Sequence, residues 1–96
     1  MNNVALKDLR QKWGLSQAAM AERMGLHRRW YISLEQGRRE LQRWHVLSVE
    51  RISIDVAIEQ QNPDLIAGTL KFILEHLKEL DREREAHPNN EQTAAR

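Results

Sequence analysis

The apolar positions at the start of the chain fall on helical spacings that glycines interrupt. Leu6, Leu9 and Trp13 stand at i, i+3 and i+7, one face of a helix that begins near Asn3 and stops at Gly14. Glycine tolerates the left-handed backbone that closes a helix, and Leu15 just beyond it can fold back on the last turn. Ser16 restarts the chain as an N-cap, because its hydroxyl can accept from the otherwise unpaired amides of the following turn. Met20, Ala21 and Met24 share a face of this second helix, Ala21 is small enough for another helix to cross closely, and Gly25 ends the segment. Leu26 and His27 make a turn. A third helix then runs to Gln36 ahead of Gly37, with Trp30, Tyr31 and Leu34 as its apolar positions.

Residues 40–61 carry two patterns at once. Ile52, Ile54, Val56 and Ile58 alternate as in a strand, whereas Trp44, Leu47, Arg51, Ile54 and Ile58 follow one helical face. The stretch is longer than an ordinary strand and has no Gly or Pro to divide it into a hairpin, which favours a helix; a strand over 52–58 is the alternative. Apolar residues on several sides predict a central helix, packed by the first three on one side and by something else on the other. Asn62-Pro63 then reads as N-cap and first position of a last helix, with Asp64 favourable to its dipole.

That last helix carries Ile66, Leu70, Ile73, Leu77 and Leu80 at spacings of 4, 3, 4 and 3, the a/d pattern of a helix that seeks a partner. Leu65, Phe72 and Leu74 widen the stripe. In a chain of 96 residues such a surface points to a two-fold dimer through Ile66, Leu70, Phe72, Ile73, Leu77 and Leu80, the alternative being a helix folded wholly onto its own domain. From Asp81 onward charge and then Pro88 with two asparagines replace the apolar positions, so residues 87–96 are expected to be a disordered tail.

The formal charge of +1 conceals a division. Residues 1–43 hold nine cations against four anions, while residues 44–96 hold six cations against ten anions. A basic front and an acidic back suggest a polyanion-binding half and a half with another task, or simply two solvated faces. No cysteine is present, which removes thiolate chemistry, disulfides and Cys-based zinc sites and fits a cytoplasmic protein. Apolar runs are too short for a secretory signal or a membrane span.

The run from Gly14 through Leu15-Ser16-Gln17, Ala21 and Gly25-Leu26, continuing to Leu34-Glu35-Gln36-Gly37-Arg38-Arg39, resembles the DNA-binding domain of the Xre family, to which phage repressors belong. The likeness is gap-free over residues 6–58 and joins several signals that would each be weak alone. It implies an all-α, five-helix helix-turn-helix fold whose domain over residues 1–61 binds double-stranded DNA, and the apolar stripe makes residues 62–86 the expected dimerisation helix. It also implies roles. Gln17 would bond a phosphate and brace the recognition helix, Arg28 and Arg29 would read base edges in the major groove, and Ser33 would be a third reader. Gln36, Arg38, Arg39 and Arg43 would meet phosphates or the minor groove from the loop that follows, and His27, in place of the usual Ser, would cap weakly or donate to a phosphate. Arg10 and Glu35 would form a semi-buried bridge between the first and third helices.

The sequence departs from the family at Trp30, Tyr31 and Ile32, which make the third helix bulky. Tyr31 takes the core position, and Trp30 and Ile32 either pack on sugar or a thymine methyl or join the core through a small rotation. The four histidines, His27, His45, His76 and His87, show no ligand spacing, and no phosphate loop, nucleophile elbow or convergent carboxylate pair is present, so neither metal, cofactor nor enzyme activity is expected. The expected function is a dimeric repressor on an inverted-repeat operator; the alternative is a protein-binding module, such as an antitoxin-like partner.

Overall fold

The computed structural model describes residues 1–86, so the expected tail over 87–96 lies outside the described residues. Five α-helices and one short 3-10 turn make up the described chain: α1 (Asn3–Lys12), α2 (Gln17–Met24), α3 (Arg28–Glu35), α4 (Arg43–Glu59), the turn Pro63–Leu65 and α5 (Gly68–Ala86). No strand occurs among the described residues, and the β-like alternation over 52–58 lies inside α4.

The first three helices start and stop where the sequence predicts. Asn2 caps α1 by accepting from the Ala5 amide, and Ser16 caps α2 by accepting from the Ala19 amide at 3.0 Å. At the end of α2, Gly25 adopts φ +70°, the Leu26 amide reaches back to the Ala21 carbonyl at 2.9 Å, and the Gly25 amide reaches the Glu22 carbonyl at 3.0 Å. This pair of hydrogen bonds to the last turn satisfies carbonyls that would otherwise be orphaned, and it turns the chain sharply enough for α3 to start at Arg28. The same pattern closes α4 without a glycine: Gln61 sits at φ +53° while Asn62 bonds back to the Ala57 carbonyl at 2.9 Å.

One core joins α1 to α4. Leu6, Trp13, Met20, Tyr31, Leu34, Val49 and Val56 are at most 2 % exposed, with half-buried Leu9, Leu15 and Leu26 packed around them. Tyr31 does take the core position on α3, while Trp30 stays exposed and Ile32 half-buried. The helical face expected to define α4 is the wrong one for burial. His45, Val49, Ile52, Ser53, Val56 and Ala57 face the core, whereas Trp44, Leu47, Arg51 and Ile58 are exposed and Ile54 is half-buried. At ~100° per residue the two sets lie on opposite sides of the helix. Spacing alone could not choose between them, because both are apolar and only the position of α1 to α3 decides which is inside.

The region after α4 differs from expectation. Pro63 opens a single 3-10 turn, with Asn62 accepting from the Asp64 amide at 3.0 Å, and α5 begins at Gly68. Two bonds fasten this turn to the end of α1, the Trp13 indole N–H donating to the Leu65 carbonyl at 2.9 Å and Lys12 Nζ to the Asp64 carbonyl at 3.2 Å, and Gln60 Nε2 at the end of α4 donates to the Trp13 carbonyl at 2.9 Å. Leu65 is consequently buried, and Ile66, expected on the apolar stripe of the last helix, precedes that helix and packs against the core of its own domain. Beyond the turn α5 leaves the domain. Phe72, Ile73, Leu77 and Leu80 are exposed, and the described chain is elongated, 54 × 26 × 19 Å.

Candidate nucleic-acid interface

The tight turn at Gly25 sets α2 and α3 as two short helices in succession, with α3 leading from an exposed first turn. Arg28, Arg29 and His27 stand exposed there. The His27 Nδ1 accepts from the Arg29 amide at 3.4 Å, so this histidine does cap α3, at the long distance expected of a poor N-cap residue. Buried Tyr31 and Leu34 hold the opposite side of α3 in the core, which fixes the direction in which Arg28 and Arg29 project.

Glu35, at the far end of α3, is the anchor of the arrangement. Its carboxylate accepts from Arg10 Nε at 2.5 Å and Nη2 at 3.2 Å, from Gln17 Nε2 at 3.2 Å, and from the Tyr31 hydroxyl. Its backbone carbonyl accepts from Asn3 Nδ2 at 3.2 Å, and Arg10 Nη1 donates onward to the Leu15 carbonyl at 2.9 Å. Burial alone would push the Glu35 carboxyl up, but hydrogen bonds from Arg10, Tyr31 and Gln17 outweigh it and hold the group below the usual carboxylate range. Burial and the bond to Glu35 push the Tyr31 phenol up, and the bond to Glu35 raises Arg10. The expected Arg10–Glu35 bridge is present. Gln17, expected to brace the recognition helix, spends an amide hydrogen on this same carboxylate.

The remaining candidates lie around the loop between α3 and α4. Gln36, Arg38 and Arg39 are exposed in it; Arg43, expected in the loop, is instead the first residue of α4. The Arg39 guanidinium lies 3.7 Å from the Trp30 ring centroid. Trp30, Arg39, Glu40, Gln42, Trp44 and His45 line one open cleft of about 340 Å³, which sets the loop beside both α3 and the start of α4. Ser33, the third proposed reader, is half-buried and donates its hydroxyl to the Arg29 carbonyl at 2.8 Å, leaving only its lone pairs for a base.

Arginines divide sharply by partner. Arg10 and Arg23 are bound to Glu35 and Glu59, both at 2.5 Å. Arg28, Arg29, Arg38, Arg39 and Arg43 have no ion pair among the described residues. An unpaired guanidinium on a fixed surface is what a phosphate or a guanine edge needs. Trp44, which was not among the sequence-based candidates, lines the cleft beside Trp30 and Arg39.

Residues 4–49 match a family of helix-turn-helix domains. This stretch of the chain is therefore a helix-turn-helix domain, the kind that DNA-binding regulators carry, consistent with the Xre-type resemblance of its motifs. No curated protein and no solved structure matches the chain. Among the described residues no group of three or more His, Cys, Asp or Glu could hold a metal ion, and no helix is long and apolar enough to cross a membrane.

Proposed function

We propose that this protein is a sequence-specific transcriptional regulator of the cytoplasm, a homodimeric repressor that binds an inverted-repeat operator and occludes a promoter. The observation that supports it most is the pair Arg28 and Arg29, exposed and without an ion pair on the first turn of α3, while the other two arginines of α1 to α3 are held by carboxylates. Arginine bonds guanine O6 and N7 bidentately in the major groove, and Gln17, His27, Arg38, Arg39 and Arg43 supply phosphate contacts that set register. Ser33 and Gln36 complete the surface as acceptors and donors at its edge.

Dimerisation through α5 presents two recognition helices, so half-sites stand about one helical turn apart, ~10 bp, or a multiple of it. Selection of bound duplexes from a random pool at near-physiological salt tests the reading. An enriched inverted repeat is expected, with Arg28→Ala and Arg29→Ala each relaxing preference at one base position by about 1–3 kcal/mol. No enrichment by the folded protein turns the assignment toward a protein-binding module. That second reading draws on the exposed Phe72, Ile73 and Leu77 of α5, and under it changes there abolish function while the arginine changes are silent.

A further inference from the structure

Two apolar stripes of this chain lack a partner among the described residues. On α4, Trp44, Leu47 and Ile58 are 51, 52 and 70 % exposed, and Ile54 between them is half-buried. On α5, Ile73, Leu77 and Leu80 are 46, 53 and 46 % exposed. The first stripe runs at spacings of 3, 4, 3 and 4 through Arg51, the second at 3, 4 and 3 from Leu70. Both are the seams of helices that pack lengthwise at a shallow angle. The α4 stripe spans ~21 Å and the α5 stripe ~15 Å at 1.5 Å per residue, so one lies within the length of the other.

We infer that α5 of one copy packs along the outer stripe of α4 of a second copy, reciprocally, in a closed two-fold dimer. This rests on the homodimeric reading above and names the receiving surface. The occupant follows from three observations. First, the turn fastened to Trp13 and Lys12 leads α5 away from its own domain, so its stripe is presented outward. Second, the α4 stripe ends in an open, almost wholly apolar cleft of about 230 Å³ between Ile54, Ala57, Ile58, Pro63 and Ile66, the size to receive a leucine or phenylalanine side chain. Third, the six exposed residues leave on the order of 600 Å² of apolar side chain in water, close to the ~800 Å² per partner of a standard stable interface and more than isolated surface residues account for. A reciprocal exchange covers both stripes of both copies. Pairing of α5 with α5 covers only one and leaves Leu47 and Ile58 exposed.

The natural chain has no cysteine, so introduced thiols are unique. Leu47→Cys and Ile58→Cys on α4, uniformly 15N-labelled so that the chains differ in mass, are each mixed with unlabelled Leu70→Cys and Leu77→Cys on α5, then oxidised mildly after sedimentation has established the state of each. The expected result is a dimer in which at least one mixed α4–α5 disulfide forms faster than any single variant joins to itself. Ile58→Asp, at a residue already exposed in the protomer, is expected to weaken the dimer about tenfold or more while the helical content by circular dichroism is unchanged. A dimer that joins only α5 to α5, or that tolerates Ile58→Asp, overturns this inference and leaves the dimeric regulator standing. A monomer at micromolar concentration overturns both.

Discussion

The Arg39 guanidinium is stacked on the Trp30 ring, 3.7 Å from its centroid, although Trp30 belongs to α3 and Arg39 to the loop that follows it. A half-exposed indole on α3 thus has a use that needs neither core nor DNA base: it holds a flexible arginine in one place before any ligand arrives. Such a contact contributes about 0.5–1 kcal/mol at an exposed site. Trp30→Ala is expected to weaken DNA binding roughly two- to five-fold by fluorescence anisotropy, and Trp30→Phe by less. Equal losses in the two variants would show that ring stacking is not what matters.

Salt separates the arginines by role. If Arg39 contacts a phosphate, Arg39→Ala reduces the slope of log K against log salt by about 0.9 and weakens all sequences alike. Arg28→Ala, by contrast, is expected to change which sequences bind. Measuring operator and random duplexes at several salt concentrations distinguishes the two, and a uniform loss from Arg28→Ala would remove it from the base readers.

Glu35 is 3 % exposed at its side chain and bound by Arg10, Gln17 and Tyr31. Arg10→Ala leaves that carboxylate partly unpaired in a dry site and is expected to cost about 2–4 kcal/mol in thermal or urea unfolding. Arg23→Ala removes an ion pair whose side chains are 30 and 52 % exposed, and only a small surface effect should result. The lowered Glu35 carboxyl also sets a pH window. Its contribution is present above the ordinary carboxylate value of 4.5 and is lost as pH falls below it toward the depressed folded value.

His45 acts in a different window. It is 2 % exposed, its Nδ1 accepts from the Gln42 amide at 2.8 Å, and its Nε2 has no partner among the described residues. Burial lowers its affinity for a proton. The unfolded chain therefore binds a proton more readily, and stability is full above the ordinary value of 6.5 and declines as pH falls through it. A melting temperature that drops between about pH 7.5 and 5.5, and a shallower drop in His45→Gln, are expected. An unchanged slope in that variant would assign the effect to other groups.

Gln61 holds a left-handed conformation, φ +53°, at the position where three other helices of the chain use glycine. A side chain there costs about 1–2 kcal/mol, part of which the greater freedom of unfolded glycine offsets. Gln61→Gly is expected to stabilise the protein by about 0.5–1 kcal/mol, and Gln61→Val to destabilise it. A lower melting temperature in Gln61→Gly would mean that the Gln61 side chain contributes more than its backbone loses.

Local chemistry made the first three helices legible. Asn2 and Ser16 cap because a short oxygen-bearing side chain satisfies free amides, and Gly14, Gly25 and Gly37 end helices because they accept positive φ; each effect acts within a few residues and is written where it operates. The tandem of α2 and α3, the exposed Arg28 and Arg29, the core place of Tyr31 and the Arg10–Glu35 bridge followed from those boundaries together with the family resemblance. What lay beyond the sequence was any choice between two chemically equal alternatives. Both faces of α4 are apolar, and only the packing of α1 to α3 selected Val49, Ile52 and Val56 over Leu47, Ile54 and Ile58. Asn62-Pro63 suits the start of a long helix and of a single turn alike, and bonds from residues fifty positions earlier, Trp13 and Lys12, decided for the turn and so moved Ile66 from the helix stripe to the core. Arg39 on Trp30 is the same case. Neighbours in sequence set where helices begin and end, while distant parts of the chain, brought close by a shared core, set which faces are buried and which side chains meet.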